Sequence, residues 1–473
     1  MRPDPGVAPT RRVARLIPAA VGLLLSSCGG YGSGGMSSPP APTPTISFAV
    51  QPTTIVAGQS ATLTWSTGST TSCTASGAWI GNQPTNGSQV VTPATVGANT
   101  YTLNCTDVMS GPYGSSTNAT MSVTLTVNAA TAFAQKTLVA DSASGTATVD
   151  ANLVNPWGIA ALPNAPMWVA NNHSETSTLY DGNGVPQPAG APLIVKLPAA
   201  AGGATFDPTG IVANTTADFV VTEGTKSAAA LFIFSGEDGM IAAWSKNVDL
   251  SNAIAMYTDP AGAVYKGLTL ANNGSGNFLY ATDFHNNKVD VFNASFTKQP
   301  STATSFTFKD PNLPAGYAPF GIQALSTGPS GAVQIYVTYA KQQPPDNHDN
   351  ANGAGLGIVD IYDANGKFVK TLIAAGGALN APWGIALAPP DFGTLSKTLL
   401  IGNFGDGKIN GYDPNSGTFM GTLTTANGAF AAPGLWGIAF GNDADSQPHN
   451  TLFFAAGPND EANGVYGRID LPQ

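Results

Sequence analysis

The sequence predicts an all-β protein in which a small sandwich precedes a six-bladed β-propeller, a closed ring of four-stranded sheets. Three observations carry that expectation. Only 10% of the 473 residues are charged while 55 Gly and 36 Pro punctuate the chain, a balance suited to many short strands joined by tight turns. A Gly followed by an apolar strand recurs six times between residues 131 and 473, the mark of a repeat architecture. Ahead of it, residues 46–128 hold runs that alternate apolar and polar side chains between turn residues, as half-buried strands do.

The elements follow in chain order. Residues 1–27 carry Arg11, Arg12 and Arg15 ahead of an apolar run from Leu16 to Leu25, which is too short to span a bilayer and reads as a signal peptide. The string Leu25-Ser26-Ser27-Cys28 resembles the lipobox of bacterial lipoproteins. That resemblance implies cleavage before Cys28 and acylation of its thiol, palmitate included, with the lipid as the sole membrane contact. Each buried CH₂ of an acyl chain contributes about 0.8 kcal/mol, so several chains hold without protein insertion. Gly29 in place of an inner-membrane retention Asp implies sorting to the outer membrane, facing the periplasm or the cell surface. Beyond residue 27 the chain has 14 basic and 27 acidic residues, a sign that disfavours nucleic acid as a partner. Residues 28–45 form a Gly/Ser-rich then Pro-rich spacer that flexes first and stays extended after.

Within 46–128 the strand candidates include Ser60–Trp65, Thr100–Cys105 and Met121–Val127. Cys73 and Cys105 are the two cysteines left after Cys28, a candidate disulfide in an oxidising compartment. The strings GQSATLTWS, SCTASGAWIG and TYTLNCTD resemble bacterial Ig-like modules, although Trp65 precedes the first Cys rather than lying between the pair. The resemblance implies a spacer or adhesion module.

In 131–473 the repeated signature is Pro156-Trp157-Gly158-Ile159, Pro208-Thr209-Gly210-Ile211, Tyr265-Lys266-Gly267-Leu268, Pro319-Phe320-Gly321-Ile322, Pro382-Trp383-Gly384-Ile385 and Leu435-Trp436-Gly437-Ile438, with Gly-to-Gly intervals of 52, 57, 54, 63 and 53 residues. A second strand follows each (Met167–Ala170, Phe219–Thr222, Phe278–Ala281, Gln334–Val337, Thr398–Ile401, Thr451–Phe454), a third ends near an aromatic–Asp turn, and a fourth fits the remainder. The sixth repeat runs out after Gly467–Leu471, whereas Phe133–Val139 repeats the Lys-Thr-Leu of residues 370–372. Pairing 133–140 beside 464–471 therefore closes the ring and leaves no open sheet edge. The repeats resemble NHL-type and SMP-30/gluconolactonase-type propellers, and most closely secreted bacterial proteins with Asn-Pro-Trp-Gly-Ile and Ala-Pro-Trp-Gly-Ile repeats.

Loops after the second strands align as Asn171-Asn172-His173, Asp283-Phe284-His285 and Asn403-Phe404-Gly405, with Glu223 in repeat two. Such a ring of oxygens suits a hard cation such as calcium, and the gluconolactonase resemblance implies that the ion, held by Glu223, Asp283 and Asn403, polarises a lactone or ester carbonyl as a Lewis acid. Asp283 equally reads as an acid bonded to its own turn amides. His173 and His285 occupy equivalent places, with no zinc spacing around either. The repeated Trp157, Phe320, Trp383 and Trp436 read as core packed between adjacent blades. An insertion, Lys341–Gly355, brings Asp346, His348 and Asp349 into a loop long enough to be a lid, or a solvated loop. No GxSxG elbow, P-loop or dinucleotide fingerprint occurs, so no catalytic residue is assigned. The expected role is a lipid-tethered binding or scaffold protein of the cell envelope, taking a small molecule, glycan or protein on its propeller face. The alternatives are the calcium-dependent lactonase or esterase and a structural envelope or biofilm protein; fold alone does not decide.

Overall fold

The computed structural model describes residues 43–57, 59–107, 118–128, 132–143, 145, 147–199, 205–327 and 331–471. The signal segment, Cys28 and the spacer up to residue 42 lie outside them. No helix of the described residues is long and apolar enough to cross a membrane. The elements are strands apart from short 3-10 turns.

Period-two patterning builds the N-terminal part. Along Ala61–Gly68, Ala61, Leu63 and Trp65 are buried while Thr64 and Ser66 face out, so one face of each strand supplies core. That strand is central in a sheet with Thr45–Gln51 and Asn86–Val91. A second sheet runs Thr54–Val56, Asn118–Asn128, Gly97–Asp107, Thr70–Gly77, Gly81–Gln83. Phe48, Leu63, Trp65, Tyr101, Leu103 and Leu125 fill one common core. Cys73 and Cys105 stand directly opposite on adjacent strands of the second sheet and are joined by a disulfide.

The rest is propeller-like. Among the described residues six sheets follow one another, their first strands being Pro156–Ala160, Pro208–Ala213, Tyr265–Asn272, Tyr317–Leu325, Pro382–Leu387 and Leu435–Phe440. Each first strand packs against the next, and the sixth packs against the first. The repeat glycine makes that approach possible. A Cβ on Gly158 would stand 2.7 Å from Thr209 O, one on Gly321 2.1 Å from Trp383 O, and one on Gly437 2.5 Å from Trp157 O. Only a residue without a Cβ lets neighbouring backbones come so close. The strand Ala134–Ala140 pairs antiparallel with Val465–Asp470, from Ala140 opposite Val465 to Ala134 opposite Asp470, so both ends of the region share the sixth sheet.

Two sheets depart from the expected pattern. In the second, Phe219–Thr222 is not the second strand: Val220–Glu223 folds onto Lys226–Ala229 as a separate hairpin, and Phe232–Gly236 pairs with the first strand instead. The run Phe232-Ile-Phe carries far more apolar area than the hairpin, all of it buried, and burial decides which segment enters the sheet. The third sheet has three strands, with no strand between Phe292 and Tyr317. Proline at 300, 311 and 314 removes ladder donors from the segment that would have supplied the fourth.

Candidate functional site

Each first strand is irregular at its repeat motif, with register shifts between Pro156 and Ile159, Pro319 and Ile322, Leu435 and Ile438, and at the equivalent places in the other sheets. The residue before the glycine is thereby aimed away from the ladder. Four of these residues are aromatic and meet one another. Trp157 and Trp436 stack with ring centroids 3.4 Å apart, Trp383 stands edge-on to them at 6.0 and 5.7 Å, and Phe320 lies 5.7 Å from Trp436. They are core, as expected, and Trp157–Trp436 and Trp383–Trp436 do bridge adjacent sheets, but the cluster also reaches across the ring. Trp157 to Trp383 joins sheets one and five, and Phe320 to Trp436 joins sheets four and six. Aromatic rings large enough to reach the centre find more contact area there than between two strands held together by glycine. The result is an axial plug. Beyond a narrow waist lined by Gly158, Gly210, Gly384 and Gly437, the other end opens into a vestibule of about 540 Å³ bordered by Ile159, Ile211, Leu270, Leu325, Ile385 and Ile438.

Sheet three places Lys266 where the plug has aromatics. Its side chain is 3% exposed and its Nζ lies 5.3 Å from the centroid of the Trp157 ring, while its carbonyl accepts the Trp383 Nε1 proton at 2.9 Å. An unpaired ammonium at such depth would cost several kcal/mol. Glu237 supplies the pairing, its Oε1 in direct contact with Nζ and its Oε2 accepting from Asn172 Nδ2 at 3.1 Å. Glu237 comes from the tight turn after Phe232–Gly236. On the outer side, Asp349 Oδ1 stands 3.5 Å from Lys266 Nζ with its side chain 69% exposed, and His348 Nδ1 bonds that same Asp349 oxygen at 2.9 Å. Pairing with His348 holds the Asp349 carboxyl down at about 2 and, in return, pushes the imidazole up. On the plug's opposite flank Trp436 Nε1 donates to Glu461 Oε1 at 3.2 Å and Asn155 Oδ1 at 3.3 Å. Asn155 Nδ2 lies 3.4 Å from His173 Nε2. Burial, then the nearby Glu237 charge, raises the Glu461 carboxyl.

The insertion Lys341–Gly355 covers this mouth. Asn350–Ala351 pairs back onto Lys341–Gln342. His285 Nδ1 donates to Asp346 O at 2.8 Å, Gln342 Nε2 to Phe284 O at 2.7 Å, and Gly353 N to Asn380 Oδ1 at 2.7 Å. Asp346, His348 and Asp349 thus belong to a loop tied at its base to sheets three and five and reaching residues of sheets two and three at its tip.

The expected metal trio does not assemble. Asp283 Oδ1 accepts from Val264 N and Asn286 N, each at 3.2 Å, while Oδ2 takes Asn286 Nδ2 at 2.9 Å and lies 3.3 Å from Lys288 Nζ. Buried and fully engaged, it braces its own turn. Asn403 Nδ2 donates to Ala378 O and Asp406 Oδ1, and Asn171 Nδ2 to the hydroxyls of Thr176 and Thr178. Glu223 is exposed on the extra hairpin, opposite Lys226, because the segment expected as the second strand forms that hairpin outside the sheet. Among the described residues, ligand atoms of Glu237, His348 and Asp349 lie within 4.8 Å of one another. Lys266 already stands against both of those carboxylates, so a divalent ion would meet a buried positive charge. The residues around Lys266 do not fit calcium, whereas Asn171 Oδ1 and Asn403 Oδ1 are buried without a hydrogen-bond partner among the described residues.

Glu237, Lys266, Asn155 and Glu461 were not singled out from the sequence. Lys266 had a signal, since it interrupts a position that is Trp or Phe in four of the six repeats. Glu237 would have aligned with the other loops once the hairpin was skipped. Glu461, at the far end of the chain in sequence, had none.

The protein is thus an all-β, propeller-like molecule with a polar site over an aromatic axis. No family model matches the sequence. The chain is 31% identical over 346 residues to the uncharacterised protein R648 of Acanthamoeba polyphaga mimivirus, covering 70% of this chain and 78% of that protein. It is 30% identical over 334 residues to the uncharacterised protein L690 of the same virus, covering 68% and 81%. It belongs to the family of these two proteins. Similar solved structures include a protein of unknown function from Bacteroides thetaiotaomicron (12% identity, 91% of this chain and 99% of that one, TM-score 0.49) and a streptogramin B lyase (15% identity, 73% and 100%, TM-score 0.39).

Proposed function

We propose that this chain is an extracytoplasmic binding protein, tethered by lipid at Cys28, in which an Ig-like module over 46–128 sets the distance from the membrane of a six-bladed propeller over 131–473. The mouth over Lys266 is its binding surface. The single observation that supports this reading is the buried Lys266–Glu237 pair placed at the axis beneath a loop whose tip, Asp349, is exposed. A charge pair of that kind is a weak device for stability, and it presents directional polar groups in a mouth otherwise floored by apolar rings, the composition of small-ligand sites. The lactonase or esterase alternative loses support where Asp283 is held by its own turn and Glu223 stands exposed on the extra hairpin. The tether is tested by labelled palmitate, incorporated into the full chain and lost in Cys28→Ser. The binding role is tested by a panel of sugars, sugar acids and short peptides read by tryptophan fluorescence. Ligand-dependent quenching that disappears on cutting back the loop to Gln342–Asn350 is expected. Chelator-sensitive turnover of a lactone or ester, lost in Asp283→Ala, would overturn it.

A further inference from the structure

The two carboxylates on Lys266 are unlike. Glu237 is 14% exposed, touches Nζ and is itself held by Asn172, whereas Asp349 is 69% exposed, stands at 3.5 Å and rides on a loop tip. An ammonium has three donors, and Glu237 meets that charge from one side only. The outer side faces the mouth and is met by a carboxylate in an exposed, and therefore weak, ion pair. His348, half-exposed beside Asp349, adds a second donor at the same spot.

We propose that the ligand of this mouth carries a carboxylate group, that Lys266 supplies the fixed positive charge a divalent ion would otherwise provide, and that Asp349 is an internal stand-in displaced when the ligand enters. The inference rests on the mouth being a binding surface and names what it binds. A neutral ligand would leave the outer side of a buried ammonium uncompensated once Asp349 moved away, and a cationic one would meet Lys266 directly. An anion conserves the charge at the site, and a carboxylate does so like for like with the Asp349 carboxylate it replaces. The buried Trp157 ring beneath Nζ senses any change of charge around Lys266 and so gives the exchange an optical signal. The loop backbone is fastened through His285, Gln342, Asn380 and the Gln343 N–H donated to Asp349 O, so the exchange requires movement of the Asp349 side chain only.

The test uses the full chain with chelator present, at constant ionic strength. Acetate, benzoate and D-glucuronate are titrated beside acetamide, benzamide and D-glucose, by calorimetry and tryptophan fluorescence. Asp349→Asn removes the internal competitor and is expected to tighten at least one carboxylate about ten-fold, leaving the neutral partners unchanged. Lys266→Met should abolish the binding. Because that change strands Glu237, the double variant Lys266→Met/Glu237→Gln, which keeps the pocket uncharged, must lose it as well. Equal binding of the neutral partners, lost in the double variant, would overturn the carboxylate assignment while leaving the mouth as a binding surface. No carboxylate binding to Asp349→Asn, or binding that requires calcium, would overturn the proposal outright; the wider ligand panel then judges the binding role separately.

Discussion

Single side chains in this ring carry unequal electrostatic loads, and Asp360 shows it away from the mouth. It is fully buried, its Oδ2 within 3.4 Å of the Tyr362 hydroxyl. Burial, with the Asp310 charge adding to it, pushes its carboxyl up to about 7 from an ordinary 3.8. Between those values the folded chain holds a proton that the unfolded chain has released, so this group makes stability fall as pH rises through that window, with the full penalty above about 7. Asp360→Asn is therefore expected to raise the melting temperature at pH 8, by an amount on the order of 1–3 kcal/mol in stability, and to lose its advantage near pH 3. An equal effect at both pH values would show that the acid is not the cause.

At the scale of elements, the repeat glycines and the lid loop make separate claims. Gly321→Ala puts a Cβ 2.1 Å from Trp383 O, a backbone atom that cannot turn aside. The expected cost is about 1–3 kcal/mol. Gly276→Ala, whose Cβ would find Phe278 at 3.6 Å and nothing nearer, should stay within about 0.5 kcal/mol. Similar costs for both would remove close approach as the reason for the repeat. For the loop, the His348 imidazole is raised above 6.5 and the Asp349 carboxyl lowered from 3.8 to about 2. The imidazolium contribution is complete below 6.5 and lost as pH rises through its raised value; the carboxylate contribution is complete above 3.8 and lost toward 2. The tip should be held best between about pH 4 and 6.5. Amide exchange of residues 346–350, corrected for intrinsic rate, is expected to quicken above neutrality, and a flat profile would contradict the pairing.

Much of the element pattern was legible in the sequence, because the first strands, their Gly contacts and the strand at 134–140 are set by local repetition. The second-sheet hairpin was not, since Val220-Val221 looks as strand-like as Phe232-Ile233 until burial is weighed. The site was less legible still. Asp283 and Asn403 end strands that alignment alone brings together, and only hydrogen bonds show that Asp283 serves its own turn while Asn403 reaches back to Ala378. Lys266 was legible as an exception to a repeat, whereas its partnership with Glu237 and Asp349 joins residues 29 and 83 positions away.

For the molecule as a whole, cyclic packing makes stability depend on the seam. Removing residues 132–141 deletes the partner of Val465–Asp470 and leaves that strand as an open sheet edge. The whole ring is expected to melt at a lower temperature, with Cys28→Ser as an inert control; unchanged melting of the truncated chain would mean that the ring does not depend on that seam.

The central claim is that Lys266, not a metal, organises the axial mouth. It is tested most directly by titrating full-length protein and Asp349→Asn with benzoate in the presence of chelator and following tryptophan fluorescence. Saturable quenching, about ten-fold tighter in Asp349→Asn and missing from Lys266→Met/Glu237→Gln, is the predicted result. Quenching that appears only when calcium is restored, or that survives the double variant, would contradict it.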